Sequence, residues 1–228
     1  MTPTNPQKPF GSLNKHWISA VLALSAALPM ASHAAPVDDA VQSLQRDWEV
    51  IRYQTPAAEK ARRFEALSAK AHDVVQSFPQ HSEPLIWEGI VLSSWAGERG
   101  GLGALSLVKD AKAMYEKAIA MNGQALDGSA YASLGVLYYK VPGWPLGFGD
   151  KAKAEALLKQ ALDINPDGID PNFFYAEFLA ENGRAPEALT YAQRALQAPT
   201  RPGRQIADAG RREEIRALMQ KLPGQPTH

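Results

Sequence analysis

Residues 167–199 read DGIDPNFFYAEFLAENGRAPEALTYAQRALQAP, and the spacing of small residues in this stretch decides the fold. Ala176, Gly183, Ala188 and Ala195 follow one another at intervals of seven, five and seven, beside the apolar run Phe173, Phe174, Tyr175, Phe178 and Leu179, and Pro199 closes the segment. Such a pattern describes two antiparallel helices that approach closely at their crossing. Only Gly or Ala fits at the point of contact, and bulky neighbours fill the space around it. The same marks stand upstream. One unit carries Tyr131, Leu134, Gly135, Tyr138, Ala154, Leu158, Ala161 and Pro166, and an earlier one carries Gly89, Leu92, Ala111, Tyr115 and Ala118. A lone helix pair cannot bury both of its faces, so the units must stack on one another.

Over residues 82–200 this pattern resembles the tetratricopeptide-repeat superfamily, whose unit is about 34 residues long. The resemblance implies an all-α fold, a right-handed superhelix of antiparallel helix pairs with a concave groove and about nine helices, ending in a polar capping helix. The sequence departs from the family pattern in two ways. No Trp occupies the favoured early position of the first helix, and two units carry long insertions between their helices. More narrowly, an exported repeat protein of this size looks like the T-component associated with tripartite ATP-independent periplasmic transporters.

Ahead of the repeats, Lys8, Lys15 and His16 precede an uncharged run from Trp17 to Ala31, followed by Ser32-His33-Ala34. That is the layout of a secretory signal, with cleavage expected between Ala34 and Ala35 and a soluble periplasmic product. A membrane anchor is the competing reading, but about 15 apolar residues fall short of the roughly 20 that a spanning helix needs. The chain has no cysteine, so neither an acylated cysteine nor a disulfide contributes. Lys+Arg and Asp+Glu each number 24, and the leader takes two lysines and no acid, which leaves the remainder slightly acidic with no nucleic-acid footprint.

Residues 35–81 are expected to form a degenerate first pair: one helix over Val37–Gln54 with Val41, Leu44, Trp48, Ile51 and Tyr53 mostly on one face, and a second over Ala57–Phe78. Three units follow at about 82–122, 128–167 and 169–200, then a capping helix and tail over 201–228. The insertion Lys140–Asp150 (KVPGWPLGFGD) should be ordered. Its Trp144, Leu146 and Phe148 should pack on something, either as a plug over its own helix pair or as a ligand-contacting lip, with Asp150 capping the next helix. The glycine-rich insertion Trp95–Leu105 reads as mobile, or as a hinge before a helix starting near Leu105.

Reactive groups are scarce, so no enzyme, catalytic residue, cofactor or metal site is expected. His72 and His81 are the only histidines within the folded part, and they read as solvent-facing. Gly147-Phe148-Gly149-Asp150-Lys151-Ala152 has the glycine spacing of a dinucleotide loop, yet Pro142 and Pro145 stand where its strand would have to be. Arg201, Arg204, Asp208, Arg211 and Arg212 form a dense cluster. It reads either as Asp208 paired with Arg204 or Arg212 at helical spacing, or as a patch for an anionic partner.

By resemblance, the concave face is lined by Ile86 and Ile90, by Val136, Tyr139 and Lys140, and by Phe173 and Glu177. That mixed lining suits a peptide or envelope-protein partner, or a small amphipathic ligand. The leading expectation is a periplasmic adaptor or scaffold presenting an open groove. The alternative is a solute-binding accessory to a transport system, in which a ligand is enclosed in a cavity of several hundred Å³.

Overall fold

The computed structural model describes residues 36–222. These form helices α1 (Pro36–Gln54), α2 (Ala57–Ser77), α3 (Ser82–Arg99), α4 (Gly101–Asn122), α5 (Ala125–Lys140), α6 (Lys151–Ile164), α7 (Ile169–Glu181), α8 (Ala185–Gln197) and α9 (Gln205–Lys221), with no strand among them. The fold is therefore all-α and built of helix pairs. The leader and its cleavage point, read at 1–34, lie outside the described residues.

The small residues sit where the pairs cross. Ala111, Ala118, Ala154, Ala161, Ala176, Ala188 and Ala195 are all completely buried. A Cβ on Gly89 would stand 2.5 Å from Tyr115, and one on Gly135 would stand 2.8 Å from Leu158, so α3 meets α4 and α5 meets α6 at distances only glycine permits. Tyr115, Leu134, Leu137, Tyr138, Leu158, Tyr175, Phe178 and Leu179 fill the surrounding volume as one continuous core. The first turn of α5 is broken by left-handed residues at Leu126, Asp127 and Gly128, so its regular part begins at Ser129.

The helices form two layers. α1, α3, α5 and α7 each touch the next member of that series, α7 touches α9, and α9 returns to touch α1. Five helices thus close an inner ring, while α2, α4, α6 and α8 back it from outside. The last helix caps the array as expected and, beyond that, touches α1. The closing seam is specific. Glu49 accepts a hydrogen bond from the backbone N–H of Ala207 (3.1 Å) across 158 residues of sequence, and Arg52 donates to Glu214 (2.7 Å). Gly210 lies against the Tyr53 ring where no side chain would fit.

Two insertions differ from expectation. The glycine-rich stretch 95–105 is helical on both sides of a break at Gly100 and Gly101 (φ 62° and 63°), because α3 runs on to Arg99 and α4 is assigned from Gly101. A helical glycine costs only about 1 kcal/mol, and burial of Ala96 and Leu107 on either side outweighs it. The loop 141–150 is tied down as expected. Asp150 N–H donates to Tyr138 O (2.8 Å), Gly149 N–H donates to Pro142 O (2.9 Å), and the Asp150 carboxylate caps α6 through Lys153 N–H (3.0 Å). Phe148 packs edge-on against Tyr138 at 5.5 Å. Trp144 and Leu146, however, are 89% and 72% exposed, because the turn closed by Gly147 N–H on Gly143 O holds them at its outer tip.

Candidate functional site

The inner ring bounds a cavity of about 830 Å³ that is partly open to solvent. Its wall comes almost wholly from the odd-numbered helices and the turns leading into α7 and α9. Of the residues placed on the concave face from sequence, Ile90, Val136, Lys140, Phe173 and Glu177 line it. Ile86 does not, being fully buried in the core with Leu85 and Ala118. Tyr139 also lies outside the lining, with its hydroxyl donating to Glu177 (2.6 Å) and its ring edge-on to Phe178. The loop residues Trp144 and Phe148 take no part in the wall.

The residues that sequence reasoning misses arrive from the two ends of the chain. α1 contributes Trp48, Arg52 and Tyr53, α3 adds Trp87, and α9 with its leading turn brings Arg201, Arg204, Arg211 and Glu214. The visible signal is the arginine cluster after Pro199. It reads as a surface feature because nothing in the sequence says that α9 folds inward. Its pairing also differs from the one expected. Asp208 is held by Arg201, through both backbone N–H and Nε (2.8 Å each), rather than by Arg204 or Arg212, and Arg212 donates to the carbonyls of Asp208 and Ala198 instead.

One wall is a compact ionic network. Asp170 accepts from Arg201 Nη1 (2.6 Å) and from Arg211 Nε (2.8 Å), and Arg211 also pairs with Glu214. The Arg211 guanidinium lies 4.6 and 4.7 Å from the ring centroids of Phe173 and Phe174. Burial alone would raise the Asp170 pKa, but attraction to Arg211 and Arg201 overrides it and holds the carboxyl well below its ordinary value. Burial likewise opposes the charge of Arg201 and Arg211, and Asp170 reverses the balance for both. On another side, Lys140 pairs with Glu177 (3.2 Å) and Glu181.

Arg204 is different. Its guanidinium stacks over Trp87 at 5.2 Å, and its nearest carboxylate is Glu49 at 3.6 Å, too far for a hydrogen bond. Burial and then repulsion from Arg201 lower its pKa, a direction that its acidic neighbours do not reverse. Both Arg204 Nε and Trp87 Nε1 are buried donors with no acceptor among the described residues. Trp48, edge-on to Trp87 at 6.0 Å, is satisfied through Ser94 (2.8 Å).

Elsewhere the chemistry is sparse. His72 is largely exposed and bonds Glu88 (3.0 Å), while His81 sits half exposed before α3. Among the described residues no group of three His, Asp or Glu side chains could hold a metal, and no helix is long and apolar enough to cross a membrane.

Residues 146–222, from the end of the exposed loop through α9, match the family model of the tetratricopeptide repeat. Among solved structures, a thermophilic tetratricopeptide-repeat protein of Thermus thermophilus is similar to this chain, with 17% identity over 81% of this chain and 99% of that one and a TM-score of 0.43. No curated protein matches. The repeat model thus spans α6 to α9, and helix pairs with the same buried small residues stand upstream of it.

Proposed function

We propose that this protein is an exported, periplasmic, non-catalytic binding protein that receives a solute-sized ligand inside its helical ring. The tetratricopeptide fold in general suggests interaction with protein partners, and such repeats are generally scaffolds rather than catalysts. The single observation that favours a smaller ligand is the return of α9 to α1, which bounds a partly open pocket of about 830 Å³ on all five inner helices instead of leaving a groove that runs on past the last repeat. Trp48, Trp87, Ile90, Val136 and Phe173 give the wall an apolar part, beside many charged groups such as the paired Asp170, Arg201 and Arg211. Export rests on the basic, apolar and small-residue order of residues 1–34. A transport accessory, the role implied by the resemblance to the T-component, accords with a ligand held in this pocket.

The test is to purify the protein from the periplasm and identify copurifying small molecules by native mass spectrometry. Val136, half-buried on the cavity wall, is the residue to alter. Val136→Trp is expected to abolish the bound species while leaving the helical spectrum and melting temperature close to those of the wild type. Retention of the same species by that variant would remove the cavity from the explanation. The adaptor reading is favoured by a separate observation, the exposed Trp144 and Leu146 on a tied-down loop, since exposed aromatic side chains of this kind anchor protein interfaces. Capture of a periplasmic protein by the wild type, and its loss in the doubly substituted Trp144→Ala, Leu146→Ala protein, is the result that reading requires.

A further inference from the structure

Trp144 and Leu146 are the two large apolar side chains that the fold leaves outside, and no other among the described residues is more than 40% exposed. Their position is held by the backbone. Leu146 N–H and Gly147 N–H both donate to Gly143 O (3.1 Å each), while Gly149 N–H on Pro142 O and Asp150 N–H on Tyr138 O anchor the base of the turn to α5. Pro142, Gly143 and Pro145 are exposed beside them, and the stretch 141–149 carries no charge at all. Charges begin at its base. The ammonium groups of Lys153 and Lys112 lie 4.5 Å from the Tyr138 ring and 5.9 Å from the Phe148 ring, the two rings that seat the loop. Glu116 is engaged by Lys112 (2.8 Å) and the Asp150 carboxylate by the N–H of Lys153, whereas the exposed side chains of Lys151 and Lys153 form no ion pair among the described residues.

Resting on the export reading above, we propose that the turn 142–146 docks the protein reversibly on an anionic bilayer surface, with Trp144 and Leu146 entering the headgroup region and Lys151 and Lys153 facing lipid phosphates. Two protruding side chains fall well short of the roughly 800 Å² that a standard protein interface covers on each partner. A bilayer interface demands no complementary shape, takes indole rings at headgroup level and attracts lysines when its lipids are anionic. Two apolar side chains with two cations give a weak, peripheral attachment that lies on the membrane and does not span it. Trp144 and Leu146 take no part in the cavity wall, so the two sites can be disabled separately.

The test is flotation of the purified secreted chain at low salt with vesicles of phosphatidylcholine alone or of equimolar phosphatidylcholine and phosphatidylglycerol. The wild type is expected to bind the anionic vesicles about tenfold or more tightly than the neutral ones, and added salt should erase the difference. Trp144→Ala with Leu146→Ala should weaken binding to the anionic vesicles by about tenfold or more. Lys151→Gln with Lys153→Gln should bring the anionic vesicles down to the level of the neutral ones. Lipids brominated in their acyl chains should quench part of the tryptophan fluorescence of the wild type and none of that of Trp144→Leu, which keeps an apolar tip. All four substituted side chains are exposed, so melting temperatures should match the wild type, and a double variant that melts early is replaced by its two single substitutions. Absence of vesicle binding, equal binding to both vesicle types, unchanged binding by either double variant, or equal quenching in Trp144→Leu overturns the inference. If vesicles are not bound while the Trp144 and Leu146 variant loses a captured periplasmic protein, the membrane inference falls and the tip serves the adaptor reading. Export is tested apart from this by amino-terminal sequencing of periplasmic protein, where cleavage after Ala34 upholds it whatever the vesicles show.

Discussion

At the scale of single residues, side-chain size and charge compensation decide most of what this molecule does. Gly89 has Tyr115 where a Cβ would stand, and Tyr115 is held by a hydrogen bond between its hydroxyl and that of Ser93 (2.9 Å), so the ring has no free direction in which to yield. Gly89→Val is therefore expected to destabilise the fold by about 2 kcal/mol, measured by urea denaturation. Trp144→Ala should stay within about 0.5 kcal/mol of the wild type in the same experiment, because its ring is bare. The carboxylates predict the acid limb of the stability curve. Hydrogen bonds from Arg184, then Lys159, lower the pKa of Glu155 to about 2, and Arg211 and Arg201 hold Asp170 well down against the opposing effect of burial. Both groups are ionised more readily folded than unfolded, so their stabilisation is complete above the unfolded values of 4.5 and 3.8 and disappears as pH falls through the lower folded values. Melting temperature should accordingly hold to about pH 5 and then drop, and Asp170→Asn should flatten part of that drop while costing about 2 kcal/mol at neutral pH.

At the scale of elements, what is legible in the sequence is what short-range spacing encodes. The pairs α3–α4, α5–α6 and α7–α8 announce themselves through Gly89, Gly135 and Ala176 and their buried alanines, because a crossing constrains residues a fixed distance apart. Asp150 is readable as a cap for the same reason, its carboxylate needing only the N–H three residues on. The course of α9 is not readable. Its contacts with α1 are set by superhelix curvature accumulated over every preceding pair, and no local pattern reports that sum. This is why spacing places Ile90 and Phe173 on the concave face but misses Arg204 and Trp87, and why it places Ile86 there although that side chain is buried in the core. Glu49 is the element-scale test. Glu49→Ala removes the acceptor for the buried Ala207 N–H and the carboxylate nearest Arg204. Amide exchange should then rise in α9 and at the end of α1, by about tenfold or more if 1–3 kcal/mol is lost from the seam, and should remain unchanged in α5 and α6.

At the scale of the whole molecule, the repeat array departs from the behaviour of an open solenoid. An open array is stabilised by neighbours only, so its ends fray and its middle persists. Here residues 158 to 162 positions apart in sequence are hydrogen-bonded across the seam, so both ends are anchored by the same contacts. The cavity and the ionic wall around Asp170 both depend on that closure, so the proposed ligand site would be a property of the complete array rather than of any one repeat. The seam also imposes an order on maturation. A chain emerging amino end first can assemble its early pairs as soon as they appear, but Tyr53, Arg52 and the acceptor at Glu49 must wait for the final helix before they find their counterparts. Until that moment an unfinished copy displays Tyr53 and the face of Trp87 that Gly210 and Arg204 cover in the finished one, so premature termination would yield a sticky fragment rather than a shorter working protein.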